Sequence, residues 1–376
     1  MVPATIVIPV LRAFVSSAYP GHEWLVHAFM AVNLLGACLL GPVLAVRADR
    51  QGQRRFFAGL LAVIDGLTLI GVALSPPVPV MLALRFVQGA ASVGAVSILM
   101  GSARARAKSS GAMGLVGGSV ILAIVVAIPL GAIVGRDDPT LPLFVGGAVG
   151  VGAGLLAWLT LPRGGDVQRS EVSLGALLTR YPLLRGPTLV VALERMAVGA
   201  FVVTLQLYGH LVLEVADAKV SSWFSAFLVT LALATWPMTR LGDRVDRWRL
   251  VAGGALVYGS MFIALGLVAQ PLILPLLFLG GLGSAAIYGP ALTLASQSVP
   301  DAARGSAMAM LNAAGTLGMF AGNVIAFGFA SGLVEAGVSR GVAYPVVFVV
   351  AGVSQSISVF VGLSNATRGA ELPSPL

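Results

Sequence analysis

The feature that most constrains this chain is a succession of apolar runs, each about as long as a bilayer is thick. Eleven such runs can be marked, at 24–46, 56–77, 79–101, 111–135, 141–161, 188–213, 220–240, 250–269, 272–298, 304–333 and 341–364. A helix rises about 1.5 Å per residue, so roughly 20 residues cross a hydrocarbon core of about 30 Å. Barrel strands would instead alternate over about 10 residues. With no water to satisfy backbone groups inside lipid, continuous apolar stretches of this length must be helices. Composition agrees: 57% of the 376 residues are hydrophobic and 10% charged, against about a quarter charged in a soluble domain. The expectation is an all-α membrane protein.

Ahead of the first run, Met1 to about Leu11 reads as the end of another helix, too short to span. It has neither the basic start nor the small-residue cleavage site of a secretory signal. Either the chain begins upstream of Met1 or it works with a clipped first helix; the first is the expectation.

A net charge of +8 and a pI near 10.4 could suggest nucleic acid, but the basic residues fall in short clusters between the runs. Arg47, Arg50, Arg54 and Arg55, then Arg104, Arg106 and Lys108, then Arg163, Arg169, Arg180 and Arg185 lie in alternate loops. Arg240, Arg244, Arg247, Arg249, Arg304 and Arg368 continue the series. The other loops hold only Arg12, Arg136, Lys219 and Arg340, and the runs themselves only Arg85 and Arg195. This is the positive-inside asymmetry of a multi-pass protein. It puts the C-terminus in the cytoplasm and the protein in the cell (inner) membrane, with lipid rather than nucleic acid as its partner.

The longest polar interruption, 162–187, divides the chain into two alike halves. Asp49-Arg50 follows the second helix of the first half and Asp243-Arg244 the second helix of the second; Gly89 and Gly281 sit at nearly the same offset. The expected organisation is an N-terminal bundle over 1–161, a cytoplasmic linker over 162–187, a C-terminal bundle over 188–364 and a disordered cytoplasmic tail over 365–376. Within the linker, SLGALLTRYPLL fits a surface amphipathic helix or an ordered connector equally well. Duplicated bundles are the usual build of secondary transporters.

The segment AVRADRQGQRRFF, with Asp49, Arg50, Gly52, Arg54 and Arg55, and its echo TRLGDRVDRWRLV, with Asp243, Arg244, Arg247 and Arg249, resemble the signature loop of the major facilitator superfamily, Gly-x-x-x-Asp-Arg-x-Gly-Arg-Arg. Ala45 stands at the first position, Gln53 replaces one Arg, and in the second half Asp246 replaces the Gly. Arg85 to Gly89 is similar to the Arg-x-x-Gln-Gly pattern of the fourth helix of that family. AIVVAIPLGAIVG, with Pro129 and Gly131, resembles the antiporter motif of its drug exporters, most of whose glycines are replaced here. Arg304-Gly305-Ser306-Ala307 resembles the opening of its eleventh helix. The resemblance implies two pseudo-symmetric six-helix bundles with the first helix truncated, working as a monomer. It also implies proton-coupled efflux of small lipophilic or drug-like compounds. A metabolite exporter or importer, for a sugar, amino acid or siderophore, is the alternative, and a non-transporting sensor or accessory protein on the same scaffold the third.

Candidate roles follow from charge and place. Asp49 ends a helix at the cytoplasm, where a carboxylate can face the positive N-terminus of a neighbour. The helix starting near Arg304 is the expected partner, and the contact could latch one conformation. Asp243 is expected to do the same against the helix starting near Gly111, with Arg50 and Arg244 as gating companions; the arginines around them are expected mainly to fix orientation. Ionisable residues inside spans are functional candidates. Arg85 and Glu194 lie on helices that line the central cavity in the family, so Arg85 could bind an anionic group or tune a carboxylate, and Glu194 could carry a proton. Neighbouring residues on a helix do not face each other, so Arg195 is not expected to pair with Glu194. Asp65 is either a proton site or an uncharged structural group. Gln88, Gln206, Tyr288 and Asn312 are cavity candidates; they, like Asn33 and Asn323, could equally be interhelical glue. His22, His27 and His210 are too scattered to hold a metal, and Cys38 is alone. With no phosphate loop, nucleophile elbow or zinc motif, no cofactor, metal or enzymatic chemistry is expected.

Overall fold

The computed structural model describes residues 2–22, 25–106, 111–161, 174–215 and 217–371. Among them the chain is helical, with no strand. The helices are α1 (Val2–Thr5), α2 (Leu11–Ala18), α3 (Leu25–Leu39), α4 (Gly41–Gln51), α5 (Arg54–Ala73), α6 (Val78–Arg106), α7 (Gly111–Val134) and α8 (Leu141–Thr160). After the linker helix α9 (Leu174–Arg180) come α10 (Arg185–Leu211), α11 (Asp217–Leu241), α12 (Arg247–Leu265), α13 (Ile273–Gln297), α14 (Arg304–Glu335) and α15 (Arg340–Glu371). Eleven spans among the described residues are long and apolar enough to cross a membrane, as the sequence predicts.

Three boundaries differ from the sequence reading. The first piece does not end near Leu11. A 3-10 turn over Ile8–Val10, with Pro9 at its start, bends the chain, and α2 then carries it to Ala18. Leu11, Phe14 and Val15 supply the reason: spaced for one helical face, they are buried in a cluster with Phe29, Leu69 and Met81. The run at 24–46 is two helices, because Pro42 has no N–H to donate and its ring clashes with the carbonyl four residues back. α4 then continues to Gln51, where Gly52 (φ 65°) closes it in the left-handed conformation. α15 remains helical as far as Glu371, so 365–371 of the expected tail is ordered helix, and 372–376 lie outside the described residues.

The chain separates into two compact units. The first comprises Met1–Arg106, Leu122–Pro182 and Val299–Ala313; the second Ala107–Ile121, Leu183–Ser298 and Ala314–Leu376. The opening turns of α14 therefore belong to the first unit and its remainder to the second. In the first unit, α5 packs along α8 and α6 along α3 and α4. Leu177 of α9, within the linker, is fully buried. A core of small side chains, Ala45, Ala48, Ala58, Ala91, Ala95 and Ala309, draws α4, α5, α6 and α14 together.

In the second unit α12 packs along α15 and α13, and α13 along α11. Its core is an aromatic nest in which Tyr258 lies 4.8 Å from Phe262 and 6.1 Å from Phe227, ring to ring. The internal repeat is visible as matched close approaches. A Cβ on Gly89 of α6 would meet the backbone of Asn33 on α3, and one on Gly281 of α13 would stand 2.8 Å from the carbonyl oxygen of Phe227 on α11. The same construction recurs in each unit because only hydrogen leaves room for the neighbouring backbone.

Candidate functional site

Among the described residues the buried polar site candidates gather at three places, two in the first unit and one in the second. At the end of α4 the Asp49 carboxylate is fully buried. Its Oδ1 accepts from Arg54 Nε at 2.6 Å, and its Oδ2 accepts from the Ser306 backbone N–H at 2.6 Å and from the Ser306 hydroxyl at 2.9 Å. Ser306 lies in the first turn of α14, where backbone N–H groups have no partner within the helix and the dipole favours negative charge. Gly305 makes the approach possible, since a Cβ there would stand 2.8 Å from Asp49 Cγ. Arg54, which is 7% exposed, also donates to the Asp301 carbonyl at 3.4 Å, and Asp301 pairs with Arg304 at 2.6 Å.

Arg54, which sequence reasoning placed in the signature loop and expected mainly to fix orientation, is the arginine that meets Asp49. Arg50 points outward and is exposed, whereas the turn at Gly52 folds α5 back so that Arg54 reaches the carboxylate. The available signal was the glycine, which permits that turn.

The corresponding place in the second unit is described only in part. Asp243 and Arg244 are exposed; the Asp243 Oδ1 accepts from Arg247 Nη2 at 2.9 Å. Residues 107–110, just before Gly111, lie outside the described residues, as do the side chains around them. Asp246 caps α12, accepting from the Arg249 N–H at 2.8 Å.

The second cluster lies inside the first unit. Arg85 and Gln88 are both fully buried. Arg85 bonds to Gln88 Oε1, donates to the Phe29 carbonyl at 3.3 Å and lies 3.9 Å from the centre of the Phe29 ring. Asn33 ties α3 to the Arg85 carbonyl at 3.2 Å. Gln88 and Ser92 stand beside the Asp65 carboxyl, with Arg85 in electrostatic range. Among the described residues, Asp65 Oδ1, Arg85 Nη2, Gln88 Nε2 and Ser92 Oγ are buried without a hydrogen-bond partner. Asp65 thus joins Arg85 and Gln88 in one network.

The third cluster lies in the second unit. Glu194 of α10 is fully buried, and its Oε1 accepts from the Ser284 hydroxyl of α13 at 2.6 Å. Contrary to the sequence expectation, Arg195 does pair with it, Nε to Oε2 at 3.3 Å. The adjacency rule concerns where Cβ atoms point; an arginine side chain is long enough to turn back, and this one is steered by Tyr288, over whose ring its Cζ lies at 4.5 Å. Tyr258 and Tyr288 both stand in electrostatic range of Glu194. The Arg195 stem runs across Gly315 of α14, where a Cβ would meet its Cγ at 3.1 Å.

The remaining candidates are dispersed. Asn312 donates to Ser97 Oγ at 3.0 Å, and Gln206 is on an exposed face of α10. Pro129 lies inside α7, and Gly131, two residues further, admits the backbone of Ile6. His22 is exposed beside the Pro20 carbonyl at 3.1 Å; the side chains of His27 and His210 lie outside the described residues. Outside the spans, the Asp138 carboxyl accepts from the Thr140 N–H and hydroxyl, which hold it below the ordinary carboxylate range.

The helical arrangement has counterparts among solved structures. The human organic anion transporter MFSD10 (TETRAN) superposes with a TM-score of 0.72 at 17% identity over 96% of each chain. The fucose:proton symporter FucP of E. coli gives 0.69 at 13% identity over 95% of each chain. FucP in the outward conformation gives 0.69 at 12% identity, over 95% of this chain and 97% of that one. At these identities the likeness is one of fold. A search of curated proteins by sequence finds no match. The family model described as Major Facilitator Superfamily matches residues 3–323 and, in a second match, 188–364. This multi-pass membrane chain, with its duplicated helical build, belongs to the Major Facilitator Superfamily, a family of transporters rather than enzymes.

Proposed function

We propose that the protein is a proton-coupled secondary transporter that exports small lipophilic compounds by alternating access, as a monomer in the cell (inner) membrane with its C-terminus in the cytoplasm. The observation that carries this reading is Glu194. A carboxylate with no exposure on a spanning helix is costly as a lone charge, and its immediate supports are one hydroxyl and one neighbouring guanidinium. Such a group can take up a proton when its partner is drawn away. The Asp65, Gln88 and Arg85 network is a second candidate of the same kind. The scarcity of charge within the spans favours apolar or weakly polar cargo.

Asp49 serves as the gate in this reading. Its bonds to Ser306 can form in one conformation and break in another, so the carboxylate biases the equilibrium. Asp243, with Arg247 beside it, is the corresponding group of the second repeat, and Arg50 and Arg244 set the local charge. The test is flux in proteoliposomes. Uptake driven by a pH gradient and abolished by a protonophore is expected, reduced at least tenfold in Glu194→Gln or Asp65→Asn. Full pH-driven transport in both variants would rule out the proton sites. Substrate-induced thermal shifts across a compound panel separate lipophilic cargo from a sugar, amino acid or siderophore. Absence of any flux would favour a sensor or accessory protein.

A further inference from the structure

We infer that the transported molecule carries one acidic group, and that Arg195 binds it in place of Glu194, which takes up a proton at the same time. This inference rests on the transport reading and names its cargo class, a small organic anion with an apolar body. Four observations lead to it. First, the Glu194–Arg195 pair is loose: Nε stands 3.3 Å from Oε2, and that oxygen is buried without a hydrogen bond of good geometry. Second, the two partners differ in access. The Glu194 side chain has 0% exposure and the Arg195 side chain 17%. A guanidinium turned to lipid would be far costlier than one turned to water, so the exposed edge marks a wet opening.

Third, the guanidinium is pre-positioned. The Tyr288 ring holds its plane from one side at 4.5 Å, and the stem is seated on Gly315. A planar fork of five N–H donors suits a carboxylate, and Glu194 meets it only at Nε. Fourth, among the described residues the surroundings supply no other charge. The titratable groups acting on Glu194 are Arg195 on its own helix, Tyr258 from α12 and Tyr288 from α13. From α15 comes the amide Gln355, bonded to the Leu193 carbonyl at 2.9 Å, and α14 contributes the backbone at Gly315.

Charge conservation then dictates the exchange. At rest the site holds one carboxylate and one guanidinium and is neutral. An anion arriving alone would leave two carboxylates against one cation, and a proton arriving alone would leave an unpaired guanidinium. Either state buries an uncompensated charge at a cost of several kcal/mol. If both arrive, the proton moves from the aqueous phase to the Glu194 carboxyl, the Glu194–Arg195 contact opens, and the cargo anion takes its place. The site stays neutral, the protonated Glu194 keeps its bond with Ser284, and acid and proton travel together without net charge. Export then runs down the outward gradient of the acid, which takes its proton with it.

The experiment uses the purified full chain with benzoate, naphthalene-2-carboxylate and decanoate, each beside its primary amide, between pH 5.5 and 7.5. The expected result is that at least one carboxylate raises the Tm of the protein while its amide does not. The carboxylate Kd should tighten about tenfold for each unit fall in pH, the slope of one linked proton. Glu194→Gln should keep carboxylate binding and lose that slope. Arg195→Gln should lose carboxylate binding, with Arg195→Lys between, and circular dichroism checking that each variant is folded.

The inference is overturned if Glu194→Gln keeps the slope, if Arg195→Gln binds carboxylates as the parent does, or if no carboxylate outperforms its amide. Proteoliposome flux keeps this failure separate from failure of the transport reading. Protonophore-sensitive flux of an amide, unchanged in Arg195→Gln, refutes the anion site and leaves proton-coupled transport standing. Absence of protonophore-sensitive flux for every probe refutes the transport reading itself.

Discussion

Substitution of Gly305 by alanine adds a single methyl group where the Asp49 carboxylate sits. The new Cβ would stand 2.8 Å from Asp49 Cγ, well inside ordinary van der Waals contact, and α14 cannot back away: a Cβ on Gly101 of α6 would already lie 2.7 Å from Gly305 Cα. The carboxylate must therefore give up its two bonds from Ser306. Hydrogen bonds to a charged group contribute about 1.5–3 kcal/mol each, and alanine returns at most about 1 kcal/mol of helix propensity over glycine. The net penalty is about 2–5 kcal/mol against the state in which α14 docks on α4. At about 1.4 kcal/mol per tenfold, the open fraction should rise by roughly 30-fold or more, up to full opening.

Cys38, the chain's single cysteine, is a built-in reporter. Its sulfur lies 4.0 Å from the carbonyl oxygen of Ala313, near the end of the α14 segment that packs into the first unit. Labelling by N-ethylmaleimide should accelerate in Gly305→Ala and in Asp49→Ala. If both variants label at the parental rate while remaining folded, the contact does not hold α14 in place and the latch is wrong. Acceleration in Asp49→Ala alone would mean that Gly305 has room the geometry denies it.

Ser306→Ala removes the hydroxyl bond but keeps the N–H bond, so its effect on Cys38 labelling should be smaller, about 1 kcal/mol and thus several-fold. Gly315→Ala should displace the Arg195 stem and weaken carboxylate binding without removing its charge, measured by the same thermal shift. Ser284→Ala leaves Glu194 Oε1 without its 2.6 Å donor; proton-driven flux in proteoliposomes should fall several-fold, the weight of about 1 kcal/mol for one hydrogen bond. Thr140→Ala removes the hydroxyl bond, the larger of the two that hold the Asp138 carboxyl down, and keeps the N–H bond, so the side-chain NMR titration should move part of the way up towards the ordinary carboxylate range.

The helical membrane architecture was legible because it is written in lengths: apolar runs that match a bilayer, separated by loops of alternating charge. What escaped depended on side-chain reach and local breaks. The α3–α4 interruption was signalled by Gly41-Pro42, but the apolar composition of the run concealed it. Arg54 looked like one arginine among several until the turn at Gly52 brought it to Asp49. The Glu194–Arg195 pair was set aside by a rule about Cβ directions that a side chain as long as arginine evades. Asp65 stayed between a proton site and a structural group because neither Gln88 nor Ser92 could be assigned to its neighbourhood from spacing alone.

The paired glycines at 89 and 281 also bear on how each unit can deform. A knob-and-hole joint resists lengthwise displacement, since every side chain must climb out of its socket. Where α6 meets α3 the glycine faces bare backbone, and where α13 meets α11 it faces the Phe227 carbonyl and the short Thr230 side chain, so there is little to lift. Such seams are suited to shear, a short slide along the helix axis at little steric cost. Filling either seam with alanine would convert a bearing into a weld.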